Sequence, residues 1–156
     1  MKILVPLDGS TTAEAALPLA AQLARAEDAG LVLLMVTNVH PSPEPAPCEQ
    51  DILPIRDAEH YLETARRHLV ADYPNVSTAV WRGASAATIV RAAEVYGADR
   101  IVMTTHGRSG DQRDMFGSVA DAVLRTAPMC VIVTRPRREA AGSSASDPGR
   151  PTAESR

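Results

Sequence analysis

The stretch IVMTTHGRSGDQRDMFGSVADAV, residues 101–123, poses the fold question for the whole chain. It starts as a short aliphatic run, passes through Gly107, Gly110 and Gly117, and ends in the helical pattern Val119, Ala122, Val123. A strand that yields to glycines and then to a helix is one βα unit of a parallel sheet. The same order of features can cradle a phosphate, because a helix N-terminus offers unpaired N–H groups and partial positive charge to an anion. The lysine of a P-loop is missing from it, and the only lysine of the chain is Lys2. Spacing alone leaves two readings open. One is a nest of backbone amides, with glycines where a Cβ would block close approach; the other is an ordinary glycine-containing connection.

Outward from this stretch the unit repeats. Apolar runs occur at 3–7 (ILVPL), 31–36 (LVLLMV), 76–81 (VSTAVW) and 129–134 (MCVIVT), in addition to 101–105. All but the third are nearly continuous in Val, Ile and Leu, as expected of strands covered on both faces. Helical patterns fill the intervals. Residues 11–26 place Ala13, Ala16, Ala20 and Leu23 on one side behind Ser10 as N-cap, with Pro18 set to kink or delay the helix. Residues 56–72 carry the stripe Ala58, Leu62, Ala65, Leu69. Residues 85–96 start at Ser85 as a cap and stop at Gly97, and residues 118–126 stop before Pro128. The order β-α-β-α-β-α-β-α-β predicts an α/β, Rossmann-like open parallel sheet of five strands with right-handed crossovers.

Residues 38–54 (NVHPSPEPAPCEQDILP) are Pro-rich and aperiodic, hence a long loop and a lid candidate. From Pro136 the chain has almost no large apolar residue, so 136–156 is expected to be a disordered tail behind one domain, 1–135. A net charge of -3 gives no reason to expect nucleic acid. No run approaches the ~20 apolar residues of a membrane span, and a secretory leader is not expected from so short an apolar run broken by Pro6 and Asp8. Cys48 and Cys130 show no metal-ligand spacing and read as two unpaired thiols in a reducing cytoplasm. Without secretion the sequon at Asn75 carries no meaning.

Ligands of open parallel sheets bind beyond the carboxyl ends of strands, where strand order reverses. Two strand ends here join polar residues to glycine: PLDGS after the first strand and TTHGRSG after the fourth. If those strands are neighbours, Asp8 and Gly107 face one crevice.

ILVPLDGS, ADRIVMTTHGRSG and FGSVADAVLRTAPMCVIV, in this order, resemble the universal stress protein family from Met1 to about Arg135. ATP-binding members carry a glycine, two residues, a second glycine, nine residues, then Gly-Ser/Thr. Here Gly107 stands at the second glycine, Gly117-Ser118 closes the motif, and Thr104 replaces the first glycine. Asp8 matches the aspartate after the first strand and Val36 the valine of the adenine pocket. The resemblance implies strand order 3-2-1-4-5 with helices on both faces, and a homodimer that binds ATP, with or without Mg²⁺. The last strand, 129–134, would then be an apolar edge suited to pairing between copies. The nucleotide-contacting set it implies is Pro6, Asp8, Val36, Met103, Thr104, Gly107, Arg108, Gly117, Ser118 and Val119. Arg108 could stand in part for the missing lysine or be a solvated loop residue; Asp111 and Asp114 are expected to repel phosphates, and His106 to be structural.

Three functions follow. The first is an ATP-binding, cytoplasmic stress-response module that signals through occupancy, with little or no hydrolysis. The second is a slow ATP hydrolase or a nucleotidyl transferase. The latter would want a histidine-glycine signature where this chain has DGST, and no general base for water stands out. The third is a dimeric interaction protein with a vestigial site, favoured by Thr104.

Overall fold

The computed structural model describes residues 1–37, 49–70, 73–105 and 117–135, with the side chains of 49–53 left aside. Five strands form one parallel sheet: β1 (Lys2–Leu7), β2 (Gly30–Thr37), β3 (Val76–Arg82), β4 (Arg100–Thr104) and β5 (Cys130–Thr134). Their order is β3-β2-β1-β4-β5, so β1 is central and β3 and β5 are edges. The helices are α1 (Thr11–Glu14), α2 (Leu17–Glu27), α3 (Glu49–Val70), α4 (Ser85–Tyr96) and α5 (Ser118–Thr126).

Strand side chains alternate between faces, and both faces are buried. Ile3, Val5, Leu31, Leu33 and Val102 pack with Ala20, Ala24 and Leu62 from α2 and α3 and with Ala16, the residue that precedes α2. Leu4, Val32, Leu34, Ile101 and Met103 pack with Ile89, Ala92, Ala93 and Val123 from α4 and α5. Aliphatic runs unbroken by polar residues are therefore explained by a helix layer on each side. Aromatic content of 3% leaves the packing to alanine and aliphatics, and the alanine face of α2 lets that helix lie close to the sheet.

Local chemistry accounts for most of the ends. Ser10 caps α1 as expected, its hydroxyl accepting from the Ala13 N–H at 3.1 Å. Pro18 does divide the 11–26 pattern. Its ring and missing N–H rule out a continuous ladder, so α1 stops at Glu14 and α2 restarts with the proline in its first turn. Gly97 ends α4 at φ 62, and the Ala98 N–H returns to the Ala93 carbonyl at 2.8 Å. Helix α5 ends in extended Ala127, as the residue before Pro128 should be.

Two expectations are corrected. Ser85 is the first helical residue of α4 rather than its cap; Ala84 takes the cap position and offers no side-chain acceptor. Helix α3 begins at Glu49 rather than 56, so residues 49–54 of the predicted loop are helical and Pro54 lies inside the helix. Pro54 is past the first turn, where its missing N–H and its ring against the carbonyl four residues earlier both cost the helix; the helix nonetheless runs through it, so proline is no stop signal here. The rest of the lid candidate, 38–48, and the tail, 136–156, lie outside the described residues, as does the predicted helix end at 71–72.

Candidate functional site

Strand β1 pairs with β2 from Lys2↔Gly30 to Leu7↔Met35, but with β4 only at Ile3↔Arg100 and Leu4↔Ile101. The reason is in the sequence. The Asp99 N–H donates to the Lys2 carbonyl at 2.9 Å, and the Lys2 N–H to Asp99 Oδ2 at 2.8 Å, so even-numbered residues of β1 turn their main chain toward β4. Pro6 falls on that side and has no N–H with which to continue the ladder. A proline in a central strand thus opens the sheet at its carboxyl end, between β1 and β4. This is also where strand order reverses, the expected place for a ligand.

A cavity of about 850 Å³ occupies that opening, within the usual range for small-molecule sites of roughly 300–1,000 Å³. From the nominated set, Pro6, Asp8, Val36, Met103, Thr104, Gly117, Ser118 and Val119 all line it. Gly107 and Arg108 lie outside the described residues, together with Cys48, His106, Asp111 and Asp114.

The α5 end of the cavity is built from backbone. Gly117 is the N-cap at φ −63, ψ 152, a conformation open to any residue, so glycine is not required there for its freedom of φ. Having no side chain, it cannot cap the helix. Its own N–H is engaged with the Thr105 carbonyl at 2.5 Å, and the helical ladder starts with the Asp121 N–H on the Gly117 carbonyl at 2.9 Å. The N–H groups left over at the first turn are those of Ser118, Val119 and Ala120, all three on the cavity wall. Free N–H groups and partial positive charge at a helix start are of the kind that can hold an anion.

Asp8 is organised by its own turn. Its Oδ1 accepts from the Ser10 N–H at 3.0 Å and the Ser10 hydroxyl at 2.6 Å, and Ser10 in turn caps α1. Thr104 is 5% exposed and follows Val102 on the α1–α2 face, paired in register with Thr134. Lys2 is excluded from the cavity: it sits at the amino end of β1, where its Nζ donates to the Tyr96 carbonyl that ends α4, at 3.1 Å.

A model of the universal stress protein family matches residues 1–135. The chain belongs to that family. A universal stress protein of Methanocaldococcus jannaschii is 30% identical over 143 residues, spanning 88% of this chain and 84% of the relative. Among solved structures, the universal stress protein UspA from Lactobacillus plantarum is similar at a TM-score of 0.76 and 28% identity, over 86% of this chain and 97% of its own. The universal stress protein of Archaeoglobus fulgidus in complex with dAMP shares the fold at a TM-score of 0.64 and 24% identity, over 85% and 96%.

In this universal stress protein, sequence reasoning missed one wall of the cavity. Helix α3 contributes Pro54, Asp57, Ala58 and Tyr61, and α4 contributes Ser85 and Ile89. The Tyr61 hydroxyl donates to Glu14 Oε1 at 2.9 Å and so ties α3 to α1. The spacing 54, 57, 58, 61 is one helical face, but Pro54 concealed the first turns of the helix that carries it.

Proposed function

We propose that this universal stress protein binds an adenine nucleotide, ATP foremost, in the β1/β4 crevice and acts as a nucleotide-dependent stress-response module with little or no hydrolysis. The observation that carries this reading is the convergence of Pro6, Asp8, Val36, Met103, Thr104, Gly117, Ser118 and Val119 on one cavity that also holds the uncapped start of α5. Phosphates would take the N–H groups of Ser118, Val119 and Ala120, with Gly107 and Arg108 added from the adjoining segment. The base would lie against Val36 and Met103. Mg²⁺ would enter with the phosphates, because the described residues contain no group of three His, Cys, Asp or Glu able to hold a metal alone. Slow turnover is expected because the sequence offers no evident general base, and Asp8 Oδ1 is taken up by Ser10.

The protein would work as a cytoplasmic homodimer through 129–134. No helix among the described residues is long and apolar enough to cross a membrane, and the charge gives nucleic acid no foothold. Strand β5 is an edge. The Thr105 N–H donates to the Thr134 carbonyl, so even residues of β5 face β4, and Val131 and Val133 direct their main chain outward. An unpaired apolar edge of this kind favours a two-fold partner.

Denaturing the purified protein and identifying released nucleotide by mass spectrometry tests the proposal, with single-turnover assays beside it. ATP recovered, and turnover well below about 1 s⁻¹, is the expected result. An empty site that also resists ATP titration would favour the second reading, a dimeric interaction protein whose site is vestigial. Thr104 is the feature behind that alternative. Because Thr104 is only 5% exposed and shares the face of Val102 by strand alternation, Thr104→Gly should shift ATP affinity by less than about tenfold, roughly 1.4 kcal/mol.

A further inference from the structure

We propose that Glu14 is a positioning residue of the nucleotide site: by accepting from the Tyr61 hydroxyl it holds the α3 wall at the crevice and slows nucleotide release. The inference rests on the nucleotide reading above and adds to it a residue that lies outside both the cavity lining and the glycine motif.

Glu14 stands where two parts of the cavity wall are joined. Helix α1 packs on β1 and β4, and α3 on β2 and β3. Ala13 of α1 lines the cavity from one side; Pro54, Asp57, Ala58 and Tyr61 of α3 line it from the other. The Glu14 N–H donates to the Ser10 carbonyl at 3.2 Å, and Ser10 holds Asp8 through its own N–H and hydroxyl. The Glu14 carboxylate accepts from the Tyr61 hydroxyl at 2.9 Å. One residue thus ties the turn that presents Asp8 to the helix that forms the opposite wall.

Both side chains are half-buried, so water competes weakly for the bond, and a carboxylate is a stronger acceptor than a neutral group. Both partners belong to the protein, so the wall is held without help from a ligand and need not be ordered when one binds. Departure is the step the bond opposes. A nucleotide lying between α1 and α3 leaves as that wall yields, and the wall is tied where the two helices are joined. Loss of the tie therefore acts on the rate of release, as most changes at binding sites do. Pro54 gives α3 a particular need of it. Lacking an N–H, it interrupts the helical ladder where α3 meets the cavity, and Tyr61 anchors the same face two turns further on.

Release of radiolabelled ATP from the full chain, chased with unlabelled ATP, tests this in wild type, Glu14→Ala, Tyr61→Phe, the double variant and Glu14→Gln. Glu14→Ala and Tyr61→Phe should each release ATP at least about fivefold faster than wild type. The double variant should be no faster than Tyr61→Phe alone, because both changes remove the same bond. Glu14→Gln keeps an oxygen that can accept from Tyr61 and should stay within about twofold of wild type. That rescue separates positioning from a general effect on the fold of α1. Release at the wild-type rate from Glu14→Ala, a double variant whose effects multiply, or failure of the Glu14→Gln rescue overturns the assignment of Glu14 and leaves the nucleotide reading standing. Absence of ATP binding by wild type overturns that reading and this inference with it.

Discussion

Gly117→Asp separates the two roles of the first turn of α5, because stability and binding should move in opposite directions. Gly117 already has the extended backbone of an N-cap, φ −63 and ψ 152. An aspartate there needs no rearrangement, and its carboxylate can accept from the N–H groups of Val119 or Ala120. A cap and a favourable charge at a helix start together contribute about 0.5–1 kcal/mol, which for a domain of this size raises Tm by roughly 2–4 °C. The same carboxylate would occupy the place proposed for phosphate. Two unit charges about 5 Å apart repel by about 1 kcal/mol in water and about 3 kcal/mol at an effective dielectric near 20. The lost N–H donors add to this, so ATP affinity should fall by at least about tenfold, or 1.4 kcal/mol. Thermal melts followed by circular dichroism give the first quantity and calorimetric titration the second. A variant that is more stable and still binds ATP as tightly as wild type refutes a phosphate site at this turn. A mutation that merely damaged the fold would lower both.

Val131→Pro removes an outward N–H of β5 without touching the β4–β5 ladder, whereas Ile132→Pro breaks that ladder. Light scattering should show the first variant folded with weakened assembly and the second destabilised; a wild-type monomer at micromolar concentration would dispose of the β5 dimer. Gly83→Ala should destabilise by about 2–4 kcal/mol, because a Cβ would meet Thr88 Oγ1 at 2.5 Å and φ is +147. Adding Thr88→Ala should recover only the steric part in denaturant titration, and full recovery would show that the backbone is unstrained. The Glu63 carboxyl is held at a pKa of about 2, below the usual 4.5 of a glutamate, chiefly by its hydrogen bond from Arg66. A depressed folded pKa contributes stability that is present above about 4.5 and is lost as pH falls toward 2. The group is exposed, so the effect is small, and Glu63→Gln should flatten that part of a stability–pH curve; an unchanged curve means the pair contributes nothing.

The sequence by itself determined the βα repeat, because strands buried on both faces must be written in unbroken aliphatic runs and helix ends in caps, Gly97 and Pro128. Those are local requirements, satisfied by residues adjacent in the chain. Strand order came from likeness to a family rather than from periodicity, since nothing in an apolar run says which neighbour it pairs with. The site divides along the same line. Asp8, Thr104 and Gly117 were legible as candidates because they stand at strand and helix ends, where an open parallel sheet forms its crevice. Only the tertiary structure decided the rest. Pro6 looks like a flaw in a strand until β4 is seen on the side where its N–H is missing. Asp57 and Tyr61 are unremarked charged and aromatic positions until α3 folds back over β2 and β3. A side chain enters a cavity according to which element crosses which, and that follows from long-range packing.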